Sequence, residues 1–263
     1  MIVRKNQTAV VTGAAGGLGV CFARRLAAEG YDLVLVDRRA EVLEPLAADL
    51  ASQHGVAARA RPTEMTDMDA MRSLAAELAG LGPIGILVNN AGFGLAKYFI
   101  DADVERHLDM LRVHNLAAVR LTHAVLPGML QCNRGAIVNV ASLCAWTPCA
   151  GVVSYSSTKA HLVAFSQAVQ DEVRDTGIRI QALCPGFVYT GFHAADGMKT
   201  FDPRSIPRWM WLTSEQVVDC SLRNLRRRRV IVIPGRRMAL LARFMQMPLF
   251  RPIVQALVRQ ERS

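Results

Sequence analysis

Residues 8–19 read Thr8-Ala-Val-Val-Thr12-Gly13-Ala-Ala-Gly16-Gly17-Leu18-Gly19. The first five are apolar or β-branched and predict a buried strand. The glycines then predict a tight turn that lets main chain approach a ligand closely. The amphipathic stretch from about Leu18 to Glu29 predicts a helix that Gly30 closes with a left-handed residue. A helix beginning there aims free N–H groups and the positive end of its dipole at the turn, a seat for a pyrophosphate. A glycine string alone is weak evidence. Between a first strand and a first helix it marks a dinucleotide site made by Gly13, Gly16, Gly17, Leu18 and Gly19.

The same alternation continues downstream. Apolar strands are expected at 32–37, near 56–61, at 84–89, 136–141 and 178–183, with a late one at 230–233. Helices are expected to about His54, over about 68–81, over 103–131 and over 153–175. Near-continuous apolar strands separated by helices predict a parallel sheet covered on both faces. Right-handed crossovers turn this into a Rossmann-type doubly wound seven-stranded sheet in a three-layer α/β/α fold. One domain, residues 1–235, carries the site, and a helical extension follows over 236–263. Ligands in such folds sit at the C-terminal ends of strands, where each motif below falls.

Composition narrows the function classes. The six cysteines are scattered, with no CxxC and no Cys/His cluster, which argues against structural zinc, any other metal site and a disulfide framework. Most are expected to be packed thiols, although Cys144 and Cys149 follow Ser142 closely enough to line a site. No signal-like segment opens the chain and no run of eighteen apolar residues occurs, so a cytoplasmic protein is expected. The net charge is +9, yet residues 223–263 hold eleven arginines and a single acid, Glu261, a net +10. The remaining residues are near neutral.

Two features point to hydride chemistry on a carbonyl. Asp37 ends the second strand, eighteen residues past Gly19, where a carboxylate accepts ribose hydroxyls and favours NAD(H). Arg38 and Arg39 follow it and leave NADP(H) open, since a guanidinium pairs a 2′-phosphate. Further along, Tyr155 and Lys159 are four residues apart, on one helix face. Ser142 lies thirteen residues before Tyr155, at a strand end. A free phenol is a poor acid at neutral pH, and a neighbouring cation lowers its pKa. The pattern assigns Tyr155 as general acid/base, Lys159 as its pKa depressor and a ribose ligand, and Ser142 as holder of the substrate oxygen.

With these residues in place, the chain resembles the short-chain dehydrogenase/reductase family from about Thr8 to Pro234. TGAAGGLG is similar to the family's TGxxxGxG, and Asn89-Asn90-Ala91-Gly92 to its NNAG beside the adenosine. The resemblance implies catalytic roles for Ser142, Tyr155 and Lys159, and implies that Asn115 holds a water in the proton relay; the alternative for Asn115 is a helix asparagine satisfied by main chain. Pro185, Gly186, Val188 and Thr190 resemble the segment covering the nicotinamide. Glu64 and Met65 stand where the family usually has aspartate and its neighbour at the adenine. Family members assemble through the helices at 103–131 and 153–175, which implies a homodimer or homotetramer.

Residues 191–213 are expected to form a mobile substrate cover rich in large apolar side chains (Phe192, Phe201, Trp209, Met210, Trp211, Leu212), suited to a hydrophobic ketone or secondary alcohol of lipid, steroid or ketoacyl type. His193 is read as an ordinary loop residue. The basic, amphipathic tail fits an anionic membrane surface, and equally docking on the body or on a partner subunit. It lacks the interleaved aromatics of a nucleic-acid binder. The rival to an enzyme is a non-catalytic dinucleotide-binding scaffold recruited by this tail.

Overall fold

The computed structural model describes residues 7–194, 196–198 and 202–245. The expectations for residues 1–6, for Phe201, for the His193 side chain and for the tail beyond residue 245 fall outside the described structure.

The chain builds β1 (Thr8–Thr12), α1 (Gly17–Ala28), β2 (Asp32–Asp37), α2 (Ala40–His54), β3 (Ala58–Pro62), α3 (Met68–Gly80) and β4 (Ile84–Asn89). There follow α4 (Val104–Leu111), a π turn (Arg112–Leu116), α5 (Ala117–Gln131), β5 (Gly135–Val140) and α6 (Val153–Glu172). The last elements are β6 (Ile178–Leu183), β7 (Phe187–Val188), β8 (Trp211–Leu212), α7 (Ser214–Leu225), β9 (Ile231–Val232) and α8 (Arg236–Met245). Seven strands form one parallel sheet in the order β3-β2-β1-β4-β5-β6-β9. The order reverses between β1 and β4, so their C-terminal ends part there and open a crevice.

Alternation along the strands divides the core. Ala9, Val11, Leu33 and Leu35 point to one face, under Phe22 and Leu26 of α1, Leu43 of α2 and Val217 of α7. Val10, Val34 and Ile137 point to the other, under Met71 of α3, Leu121 of α5 and Val169 of α6. Because both faces are covered, the strands read as continuous apolar runs. Gly30 has the expected positive φ, 84°, just past α1.

Three departures have physical reasons. The helix expected over 103–131 contains the π turn at 112–116, which widens the coil by one residue and swings His114 and Asn115 inward; both are buried. The helix expected to reach residue 175 ends at Glu172, and Thr176 closes its exit by donating to the Val173 carbonyl. The expected cover is organised as short 3₁₀ turns and is anchored by a second, two-stranded parallel sheet in which Phe187 pairs with Trp211 and Val188 with Leu212.

Candidate active site

Thr12 ties the two sides of the crevice together. Its hydroxyl accepts from the main-chain N–H of Asn90 and of Ala91, each at 3.0 Å. The Asn90 amide donates to the carbonyls of Thr12 (2.9 Å) and Gly13 (3.1 Å). Gly13 has φ 63°, and a Cβ on it would lie 2.9 Å from Ala91 Cα, so only glycine fits. Gly92 meets the next turn just as closely, because a Cβ there would stand 2.8 Å from His114 Nε2. The NNAG run is therefore held against the glycine turn.

Gly16 caps α1 without a side-chain hydrogen bond, and the first turn holds no acid. The helix start is thus an electropositive cradle of main-chain N–H groups. Thr190 lies over it, within 2.6 Å of where a Gly17 Cβ would stand. These residues fit a dinucleotide pyrophosphate. Leu18 packs on the core beside the turn, and Pro185 accepts from the Leu143 N–H at 3.0 Å, fixing the segment that leads through Gly186 to Val188.

Asp37 is differently placed from the expectation of a carboxylate waiting for ribose. It is buried, and its two oxygens accept from Ala15 N (3.1 Å), Arg39 N (3.1 Å), Arg39 Nε (3.0 Å) and Arg39 Nη2 (3.2 Å). Four donors fill the acceptor capacity of a carboxylate. Burial alone would raise its pKa, but the hydrogen bonds from Arg39 and Ala15 outweigh it and hold the group below the ordinary value. Arg38 pairs with Glu64 at 3.6 Å, and Glu64 also accepts from the Thr66 N–H (3.1 Å) and hydroxyl (3.0 Å). The side chain of Met65 is buried in the core, so only its main chain can face an adenine.

At the far side of the crevice, Ser142 follows β5 and Tyr155 and Lys159 lie on α6. The Ser142 hydroxyl accepts from the Cys144 N–H at 3.2 Å, and Ser142 lowers the pKa of the Tyr155 phenol. Tyr155 is partly buried. Phe192 of the cover lies 5.8 Å from that ring, centroid to centroid. Lys159 is 5 % exposed, its ammonium donates to the Val140 carbonyl at 2.8 Å, and it stands 5.6 Å from the centroid of the Tyr155 ring.

The electrostatics correct one expectation. Burial pushes the Tyr155 phenol up, the Cys144 thiol adds to the rise, and the Ser142 hydrogen bond only partly offsets it. Lys159 does not draw the phenol down here. Its ammonium is turned to Val140, and burial lowers its own pKa from 10.5 to about 8. Burial thus disfavours the charged form of each group: the phenol holds its proton, and Lys159 gives up its own only as the pH approaches and passes about 8.

Asn115 donates from Nδ2 to the Thr158 carbonyl at 3.0 Å, while its Oδ1 is buried with no hydrogen-bond partner among the described residues. The helix-asparagine reading thus describes the Nδ2 end of this amide. The sequence reading does not single out Thr158 or His114, whose facing depends on the π turn. The neighbouring Asn115 was the available signal that this stretch meets α6.

The substrate side is apolar. Leu143, Trp146, Met210, Ile233 and Met238 cluster beyond Ser142, and Met238 comes from α8, the first helix of the extension. Leu95 and Met198 are buried at the opposite edge, where Ala96 N donates to Gly197 O at 2.7 Å and fastens the cover to the strand exit. Among the described residues there is no group of three or more metal-ligating side chains.

The model of the short chain dehydrogenase family matches residues 7–199. The chain belongs to this family. Curated relatives include the very-long-chain 3-oxoacyl-CoA reductase of Laccaria bicolor, 36% identical over 189 residues (70% of this chain, 56% of that protein), and that of Bos taurus, 33% identical over 189 residues (70% and 60%). The human inactive hydroxysteroid dehydrogenase-like protein 1 is 32% identical over 196 residues (74% and 59%). The chain therefore matches less than two thirds of the length of these relatives. Among solved structures, a short-chain dehydrogenase from Sphingobium yanoikuyae in complex with NADPH is 32% identical, with a TM-score of 0.82 over 98% of both chains. A Burkholderia phymatum family member in complex with NAD, at 22% identity and a TM-score of 0.80, shares the fold over 100% of this chain and 99% of its own.

Proposed function

We propose that this chain interconverts a hydrophobic ketone and its secondary alcohol, with a ketoacyl- or other lipid-like carbonyl as substrate. The observation that carries the reading is the convergence of buried Ser142, Tyr155 and buried Lys159, its ammonium 5.6 Å from the centroid of the Tyr155 ring, under an apolar wall. When bound, the nicotinamide supplies or accepts the hydride. Ser142 holds the carbonyl oxygen by a hydrogen bond. Tyr155, kept protonated by burial, donates its proton to that oxygen as negative charge develops on it. Lys159, whose pKa burial lowers only to about 8 and which therefore keeps its proton at neutral pH, stabilises the resulting phenolate by its charge and takes ribose hydroxyls. Leu143, Trp146, Met210 and Met238 exclude water and favour an apolar chain over a sugar.

For the cofactor, Asp37 favours NAD(H), while Arg39 occupies both of its oxygens and with Arg38 offers two guanidinium groups to a 2′-phosphate. Both dinucleotides are used in this reading. The non-catalytic alternative is countered by the intact Ser142, Tyr155 and Lys159, which a scaffold does not need. A 340 nm assay of NADH and NADPH against short ketones, ketosteroids and 3-ketoacyl thioesters separates the two. Turnover of an apolar carbonyl supports the enzyme; tight dinucleotide binding with no turnover across the panel supports the scaffold.

Residues 1–235 act in this reading as the catalytic unit and 236–263 as an extension. A groove of about 410 Å³ runs past Leu108, Leu111, Leu116, Ser157 and His161, and Val104, Leu116 and Val119 stand exposed beside it. That apolar stripe on α4, α5 and α6 supports a homo-oligomer. α8 buries Met238 and Ala242 against the body and exposes Arg236, Arg237 and Leu240. This orientation, with the tail's charge, supports peripheral contact with anionic lipid. No described helix is long and apolar enough to cross a membrane. Deleting 246–263 leaves α8 as part of the site wall; equal sedimentation of truncated and full chains with anionic vesicles would refute the contact.

A further inference from the structure

His114 is buried to 2 % exposure, and both of its ring nitrogens are engaged. The Phe93 main-chain N–H, which can only donate, points at Nε2 from 3.0 Å. Nε2 is therefore the unprotonated nitrogen, and in the neutral ring the proton sits on Nδ1. Nδ1 lies 2.9 Å from the Thr158 hydroxyl, which in turn donates to the Tyr155 carbonyl at 2.9 Å. The donors run in one direction: Phe93 N–H to His114, His114 to Thr158, Thr158 to the main chain of Tyr155. The ring also meets the Tyr155 ring edge-on at 5.9 Å and that of Phe93 at 5.7 Å.

The two ends of this chain belong to different halves of the site. Phe93 directly follows Asn90-Ala91-Gly92, which is held on the glycine turn, and Tyr155 opens α6. His114 reaches both because the π turn rotates it off the path of a regular helix, and Asn115 beside it grips the Thr158 carbonyl. We propose that His114 is a positioning residue for Tyr155, fixing the phenol at one separation from the cofactor side of the crevice through Thr158. Protonation would break the arrangement, since a second N–H would face the Phe93 N–H. Burial first, and then the Lys159 ammonium, keep the ring neutral by lowering its pKa well below 6.5. Lys159, Tyr155 and Arg106, which lies 4.9 Å over the Phe93 ring, are the charged or titratable groups around it.

The inference rests on Tyr155 being the proton donor, and its test has one arm that needs no turnover. In that arm, tyrosine is labelled at Cζ and the Tyr155 resonance is assigned with Y155F. The position and width of that resonance are then compared in wild type, H114L, T158V and T158S. H114L and T158V are expected to shift or broaden it, and T158S, which keeps the hydroxyl, to restore it. Histidine ¹⁵N spectra are expected to show His114 as the Nδ1–H tautomer without titration from pH 5 to 8.

In the kinetic arm, T158V loses roughly 10- to 100-fold in kcat, as a displaced catalytic group does. Its dinucleotide Kd stays within about twofold. T158S recovers most of the loss, and the H114L/T158V double variant falls no further than the worse single one, because both cut the same chain. An unchanged Tyr155 resonance in T158V, a titrating His114, or additive kinetic losses would overturn the role. Should wild type turn over no carbonyl, the functional reading fails and the spectroscopic arm still decides the position of His114.

Discussion

Replacing Lys159 with methionine is expected to make the protein more stable and inactive. In the folded chain burial takes the Lys159 pKa from 10.5 to about 8, whereas in the unfolded chain it titrates at its ordinary value. The difference is worth about 3 kcal/mol at 1.36 kcal/mol per pH unit. Below pH 8 both states carry the proton, so the fold bears the full penalty of a buried ammonium. As pH rises from 8 to 10.5 the folded state releases its proton while the unfolded state keeps it, and the penalty is relieved. Methionine fills the same space without charge and leaves the Val140 carbonyl without its donor, which costs about 1 kcal/mol. The net gain at pH 6.5 is about 2 kcal/mol, or roughly 4–8 °C in Tm for a chain of this size. Urea melts of wild type and K159M at pH 6.5, 7.5, 8.5 and 9.5 would show the gain shrinking across the series. A variant less stable at pH 6.5, or a gain independent of pH, would refute the reasoning.

Two further outcomes follow from the same geometry. R39A removes the guanidinium that covers Asp37, leaving an open carboxylate that accepts ribose hydroxyls and repels phosphate; kcat/KM for NADPH relative to NADH is expected to drop roughly tenfold or more, the worth of a charge-assisted hydrogen bond, and an unchanged ratio would contradict the assignment. With the dinucleotide varied, kcat/KM reports the free enzyme; it is expected to fall above about pH 8 as Lys159 loses its proton, and K159R, which does not titrate there, should lack that limb.

The parallel sheet and the positions of Gly13, Asn90, Ser142, Tyr155 and Lys159 were legible because each rests on a local rule: apolar strand runs between helices, glycine at a tight turn, four-residue spacing on a helix. What escaped the sequence depends on contacts between distant segments. Arg39 was visible as a phosphate ligand, but its capture of both Asp37 oxygens follows from how the start of α2 folds back on β2. The spacing of Tyr155 and Lys159 showed a cation near a phenol; only burial and the Val140 carbonyl decide that the lysine's own pKa moves instead. His114 was hidden because regular helix periodicity does not foresee a π turn. Met238 carries no signal in the sequence, and its packing against Leu143 and Gly186 comes from α8 folding back on the body.

The account stands or falls on Tyr155 as the proton donor. A Y155F protein assayed at 340 nm with the best carbonyl substrate of wild type measures this most directly. Removing a general acid costs roughly 10²- to 10⁴-fold, so kcat is expected to fall by that factor while dinucleotide Kd, read by fluorescence, stays within about twofold. Wild-type turnover in Y155F would show that the proton comes from elsewhere.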